Sequence, residues 1–157
     1  GEPWIEVIVS GDEVSSTGRL IHVPEGHTDG DSVVWFTGSN VVHLGDLYFQ
    51  LGYPFVDTAS GGNVLGLIEG LRGLLAKLPA DVRVIPCHGE VTGKKELEDY
   101  VRMLETISER VRAALEQGQD AAKMIASGLT KDFDERWGHF DFVPPEKFVQ
   151  SVIESLR

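Results

Sequence analysis

The sequence predicts an α/β layered domain, a mixed sheet with helices on one face. Three observations predict it. Short β-branched runs crowd the first part of the chain, apolar stripes of helical period fill the second, and histidines and an aspartate stand beside glycines where strand-like runs end. With 157 residues, the chain is expected to form one domain over 1–157, burying about two-thirds of the surface its unfolded form exposes.

Ile5 to Ser10 and Arg19 to Val23 read as two strands around the polar connection Gly11-Asp12-Glu13, and Pro24-Glu25-Gly26 ends the second. After the loop His27-Thr28-Asp29-Gly30-Asp31, Ser32 to Thr37 and Asn40 to Leu44 form a hairpin whose turn holds Gly38-Ser39. Leu47 to Ser60 is aromatic and broken by Gly52 and Pro54, so it reads as a loop that lines a site. Asn63 supplies capping chemistry for a helix in which Val64, Leu67, Ile68, Leu71, Leu74 and Leu75 recur at helical spacing before Pro79. Val82 to Pro86 is a short strand that runs straight into Cys87-His88-Gly89. From Lys94 to Gln117 the apolar residues Leu97, Tyr100, Val101, Leu104, Ile107, Val111 and Leu115 share one face. A short helix near Asp120 to Ala126, an aromatic link with Phe133, Trp137 and Phe140, and a helix opened by Pro145 complete the chain.

Acidic residues outnumber basic ones 25 to 14, a formal charge of −11. No basic stripe is available to neutralise phosphates or anionic lipid, so neither nucleic acid nor a membrane surface is an expected partner. No run of about 18 apolar residues is present to span a bilayer. The single cysteine, Cys87, permits no intrachain disulfide.

The chemistry-bearing residues cluster in three short strings: Gly26-His27-Thr28-Asp29-Gly30-Asp31, His43-Leu44-Gly45-Asp46 and His88-Gly89-Glu90. Glycine there lets the backbone turn sharply and aim the adjacent imidazole or carboxylate into a cleft. Neutral imidazole and carboxylate suit zinc, and also iron or manganese. Their order and local sequence resemble the metallo-β-lactamase superfamily: a His in a His-Thr-x-Gly setting, a Gly-Asp at a strand end, and a His-Gly after a strand. Gly45-Asp46-Leu47-Tyr48-Phe49, Tyr53-Pro54-Phe55-Val56-Asp57, Trp137-Gly138 and Pro145-Glu146-Lys147-Phe148 are similar to the group of SoxH-type and quinoprotein-associated hydrolases.

The resemblance implies that His27 is a ligand of a first metal, Asp46 a bridging ligand and His88 a ligand of a second, both ions zinc. It implies a hydrolase in which a metal-bound hydroxide attacks an ester, thioester or lactam carbonyl of a small-molecule substrate. The family's His-x-His-x-Asp-His motif does not occur in this sequence. The chain therefore reads as the C-terminal half of an αβ/βα sandwich, whose bare sheet face is expected to pair with an N-terminal half or with a second copy in a homodimer. The alternative is a catalytically incomplete module that keeps His27, Asp46 and His88 as remnants.

Around these residues several roles stay open. His43 either orients the Asp46 carboxylate or is a satisfied core histidine. Asp29 and Asp31 either orient His27 or cap their own loop. Tyr53, Phe55 and Asn63 either contact substrate or pack onto the domain. Cys87 replaces the glycine that commonly precedes the last histidine; beside a metal it invites a sulfur-ligand reading, a small buried residue being the ordinary one. His22 and His139 carry no assigned chemistry.

Overall fold

The structure, a computed structural model, describes the backbone of residues 4–11 and 14–157, with side chains from residue 18 onward. Six strands form one sheet in chain order: β1 (Trp4–Gly11), β2 (Val14–His22), β3 (Ser32–Phe36), β4 (Val41–His43), β5 (Arg83–Ile85) and β6 (Thr92–Gly93). The connection expected at Asp12-Glu13 lies outside the described residues. All neighbouring pairs are antiparallel except β4 with β5, which is parallel. A parallel pair needs a crossover. Here it consists of the loop after β4 and helix α1 (Val64–Leu75), so the chain leaves the sheet at the end where the candidate site forms, re-enters at the opposite end, and β5 carries it back to the site. Helices α2 (Lys94–Glu116), α3 (Ala121–Ala126), α4 (Asp134–Trp137) and α5 (Pro145–Ser155) follow.

The strands alternate cleanly. Val33, Trp35, Val42 and Val84 are buried and face α1 and α2, whose Leu67, Leu71, Leu74, Leu97, Leu104 and Ile107 complete the core. Each such aliphatic side chain contributes about 1.5–3 kcal/mol when removed from water. Among the described residues, no helix lies on the opposite sheet face. Register places Leu20, Val34, His43 and Ile85 in one row across β2 to β5, and Phe36 beside Val41 in the next. These apolar residues are only half-buried. The mixed sheet with helices on one face is thus as the sequence predicts.

The helices begin where the capping residues say. Asn63 Oδ1 accepts from the N–H groups of Leu65 and Gly66, and Asp120 Oδ1 from Lys123. The Gly93 N–H donates to Glu96 Oε2 at 3.1 Å, which ties β6 to the first turn of α2. Among the described residues, no helix is long and apolar enough to cross a membrane. Two elements escape the sequence reading. The two-residue β6 is too short for any periodicity, and α4 is a single turn hidden in the aromatic link.

Three carboxylates have pKa values below the usual carboxylate range. Ser60, followed by backbone N–H groups, lowers Asp57; Lys95, then Arg102 and Arg136, lower Asp99; the paired Arg110 guanidinium lowers Asp132. A depressed folded-state pKa contributes stability that is present above the unfolded value of about 3.9 and is lost as pH falls through the folded value. Thermal melting is therefore expected to hold steady from about pH 5 to 7 with respect to these groups and to fall below about pH 4. Asp99→Asn should lower the melting temperature at neutral pH, and the difference from wild type should shrink as pH falls through the folded value and the wild-type carboxylate becomes neutral.

Candidate metal centre

Asp46 and His88 are brought together by the ends of the two parallel strands. The Leu44 N–H donates to Ile85 O at 3.0 Å and carries the β4–β5 pairing to its last position. Gly45, at φ +54, then turns the chain into a short 3-10 turn, Gly45–Leu47. Buried Leu47 anchors that turn, and the Gly45 N–H donates to His43 Nδ1 at 3.1 Å. The chain next doubles back along the end of β5. The Cys87 N–H donates to Tyr48 O at 3.3 Å, the Gln50 N–H donates to His88 O at 3.2 Å, and Phe49 bridges His88 in parallel. Gly89, at φ +123, lets the backbone turn away where a Cβ would overlap the Gln50 side chain. As a result, ligand atoms of Asp46, Cys87 and His88 all lie within 4.8 Å of one another. Functional groups commonly gather outside the carboxyl ends of parallel strands, and this cluster does.

His27 reaches the same cleft on a separate loop. The Thr28 N–H donates to Asp31 Oδ2 at 2.7 Å, while Asp31 Oδ1 stands 3.5 Å from His27 Nδ1. Asp31 therefore both caps the loop and faces the imidazole. His27 O accepts from the Asp57 N–H at 2.9 Å, and the Asn63 N–H donates to Glu25 O and Gly26 O, so the loop is laid against the segment entering α1. His22 ties down the other side, with Nε2 2.7 Å from Asp29 O.

A cleft of about 280 Å³ joins these parts, lined by His27, Asp46 and His88 and by Phe49, Phe55, Phe140 and Phe142. The rings contact one another and the histidines: Phe49 stands 4.8 Å from both His88 and Phe140, Phe55 5.9 Å from His27 and 5.4 Å from Phe142. The Lys147 ammonium lies 4.5 Å over the Phe142 ring and 5.0 Å over Phe55. One wall is thus apolar and aromatic, the other carries imidazole and carboxylate. That is the usual composition of a small-molecule site.

The structure brings all three of His27, Asp46 and His88 into one cleft, with His27 outside the tight cluster. Cys87, for which the sequence favours a small buried residue over a sulfur ligand, stands in the cluster with Asp46 and His88. It is only half-buried, its Sγ lies 3.6 Å from Tyr48 O, and burial together with the Asp46 carboxylate pushes its thiol pKa up to about 12. His43 is neither of the roles expected for it; it is exposed and holds the backbone of the turn that carries Asp46. Tyr53 is core, stacked 5.0 Å on Phe148 with its hydroxyl donating to Asp134 Oδ1 at 2.8 Å, and Asn63 is a helix cap; only Phe55 of that trio lines the cleft. Phe142 had no local signal, since it reaches the cleft from the link between α4 and α5 through its ring contacts with Phe55 and Phe140.

No protein-family profile and no curated protein sequence matches the chain. Solved structures do. A metallo-β-lactamase from Pontibacter korlensis aligns with 64% of this chain and 46% of its own length, at 17% identity and a TM-score of 0.54. The BLEG-1 B3 metallo-β-lactamase aligns with 66% of this chain and 46% of its own, at 24% identity and a TM-score of 0.50. The fold is, in part, that of a metallo-β-lactamase. The stereoselective inverting sec-alkylsulfatase Pisa1 from Pseudomonas sp. extends the likeness to 98% of this chain, with a TM-score of 0.72 at 13% identity, over 25% of its own length. The chain therefore spans between a quarter and a half of the length of these structures.

Proposed function

We propose that the chain is the C-terminal part of a zinc-dependent metallo-β-lactamase-like hydrolase, of the SoxH-type and quinoprotein-associated group, acting on an ester, thioester or lactam carbonyl. One observation carries the reading: His27, Asp46 and His88, far apart in sequence, converge in one cleft at the ends of β4 and β5. Imidazole and carboxylate donors suit a borderline divalent ion, and these three would hold two ions jointly with donors from an N-terminal half. When bound, such ions polarise a carbonyl and acidify water.

The chain's own residues do the rest. Asp31, facing His27 Nδ1, fixes the ring orientation and leaves Nε2 for the metal. The phenylalanine wall keeps water from the cleft and receives an apolar group beside the scissile bond. Phe140→Ala is expected to raise KM about tenfold, the equivalent of about 1.4 kcal/mol of apolar contact, with a smaller change in kcat. An unchanged KM for an apolar substrate would remove the phenylalanine wall from substrate binding.

The half-buried row Leu20, Val34 and Ile85 gives this proposal its partner: the open sheet face packs on the N-terminal half, or on a second copy. The same row favours the second reading, a non-catalytic module that dimerises. Metal content and hydrolysis separate the two. Near-stoichiometric zinc with turnover of a generic ester or nitrocefin supports the enzyme; protein free of both supports the module. A stable monomer by size-exclusion chromatography with light scattering would sink the pairing.

A further inference from the structure

The cluster at the end of β5 contains one donor more than the family pattern supplies. We propose that Cys87 is a metal ligand, so that Asp46, Cys87 and His88 form a complete single-ion site of one carboxylate, one thiolate and one imidazole within this chain. The inference rests on the metallohydrolase reading for Asp46 and His88 and adds a residue to it.

Ligand arithmetic favours it. Counting only His27, Asp46 and His88, each ion of a pair keeps one terminal ligand and a shared carboxylate, whereas a catalytic zinc has three protein ligands and an open position. Cys87 makes up the deficit for one ion. The geometry is close to what is needed: donors at about 2.0–2.3 Å around a tetrahedral ion stand about 3.3–3.8 Å apart, and the three here lie within 4.8 Å before any adjustment. The backbones of both segments are locked by the Cys87–Tyr48 and Gln50–His88 hydrogen bonds, the Asp46 carboxylate already faces the Cys87 thiol, and the Asp46 and His88 side chains are exposed. Binding displaces the thiol proton to solvent, and the thiolate and carboxylate together neutralise the dication. A thiolate also shifts the preference towards zinc, cobalt or cadmium and away from magnesium or manganese.

Cobalt(II) titration of the purified chain tests the assignment, because Cys87 is the only cysteine and any sulfur-to-cobalt charge-transfer band must report it. The expected result is one equivalent of cobalt with an intense near-ultraviolet thiolate band. Cys87→Ser should abolish that band and weaken zinc binding by at least about 100-fold, beyond the roughly 10–100-fold that loss of an outer hydrogen-bonding partner costs. Circular dichroism of Cys87→Ser should match the wild type, showing that the fold is retained. Cobalt bound without a thiolate band, or no cobalt bound at all, overturns the assignment of Cys87. Failure of the underlying reading gives a different result: cobalt binding that survives both Asp46→Ala and His88→Ala.

Discussion

Replacing Asp46 by alanine is expected to lower kcat/KM of the metal-loaded protein by more than about 1,000-fold, above the 10²–10³ that removal of a single oxyanion-hole donor costs. Asp46 belongs both to the cleft shared with His27 and to the cluster shared with Cys87 and His88. Among the described residues it is the one carboxylate lining that cleft. Its loss therefore removes a donor from every ion the site is proposed to hold. The fold should not register the change, because the side chain is exposed and its partner among the described residues is the Cys87 side chain. Exposed substitutions of this kind usually stay within about 0.5 kcal/mol. Asp46→Asn should behave like the alanine variant, since an amide keeps the shape and loses the charge that neutralises a cation. Hydrolysis by Asp46→Ala within tenfold of wild type, at equal metal content, would sink the proposed function.

The fold was legible where physics is local. Asn63, Asp120 and Pro145 announce helix starts, the β-branched runs on either side of Gly38-Ser39 announce a hairpin, and the stripes from Leu67 to Leu74 and from Leu97 to Val111 announce the core faces of α1 and α2. The two elements that were missed, β6 and α4, are shorter than one period of any pattern. The site was half legible. Glycine beside His27, Asp46 and His88 marks sharp turns at strand ends, and Gly45 and Gly89 do adopt positive φ. Gly26 serves another purpose, because a Cβ there would crowd Leu47 and Asp31. Cys87 was legible only as a choice between a sulfur ligand and a small buried residue, and Phe142 was not legible, since both positions follow from tertiary pairings: Tyr48 against Cys87, and Phe55 against Phe142. Neither pairing leaves a mark in local spacing.

Gly62→Ala is expected to separate the two parts of the site. A Cβ at position 62 would overlap His27 O and lie 2.8 Å from His27 C and 2.9 Å from Asp57 O, all backbone atoms that cannot rotate aside. One of two chain segments must therefore move. The segment entering α1 is anchored by the Asn63 cap and by the Gly62 N–H donating to Asp57 O at 2.8 Å, so the loop carrying His27 is the one to give way. Overpacking of this kind costs about 1–3 kcal/mol, and a misplacement of about 1 Å near the chemistry costs on the order of 100-fold in rate. Hydrolysis should fall by that order, with a modest drop in melting temperature. The cobalt–thiolate signature should persist, because Asp46, Cys87 and His88 are held by the β4–β5 pairing and the Tyr48–Gln50 return, which Gly62 does not touch. If Gly62→Ala leaves kcat/KM within twofold, the placement of His27 in that loop does not matter to the reaction. If it removes the cobalt signature together with activity, the His27 loop and the Asp46 cluster form one unit rather than two.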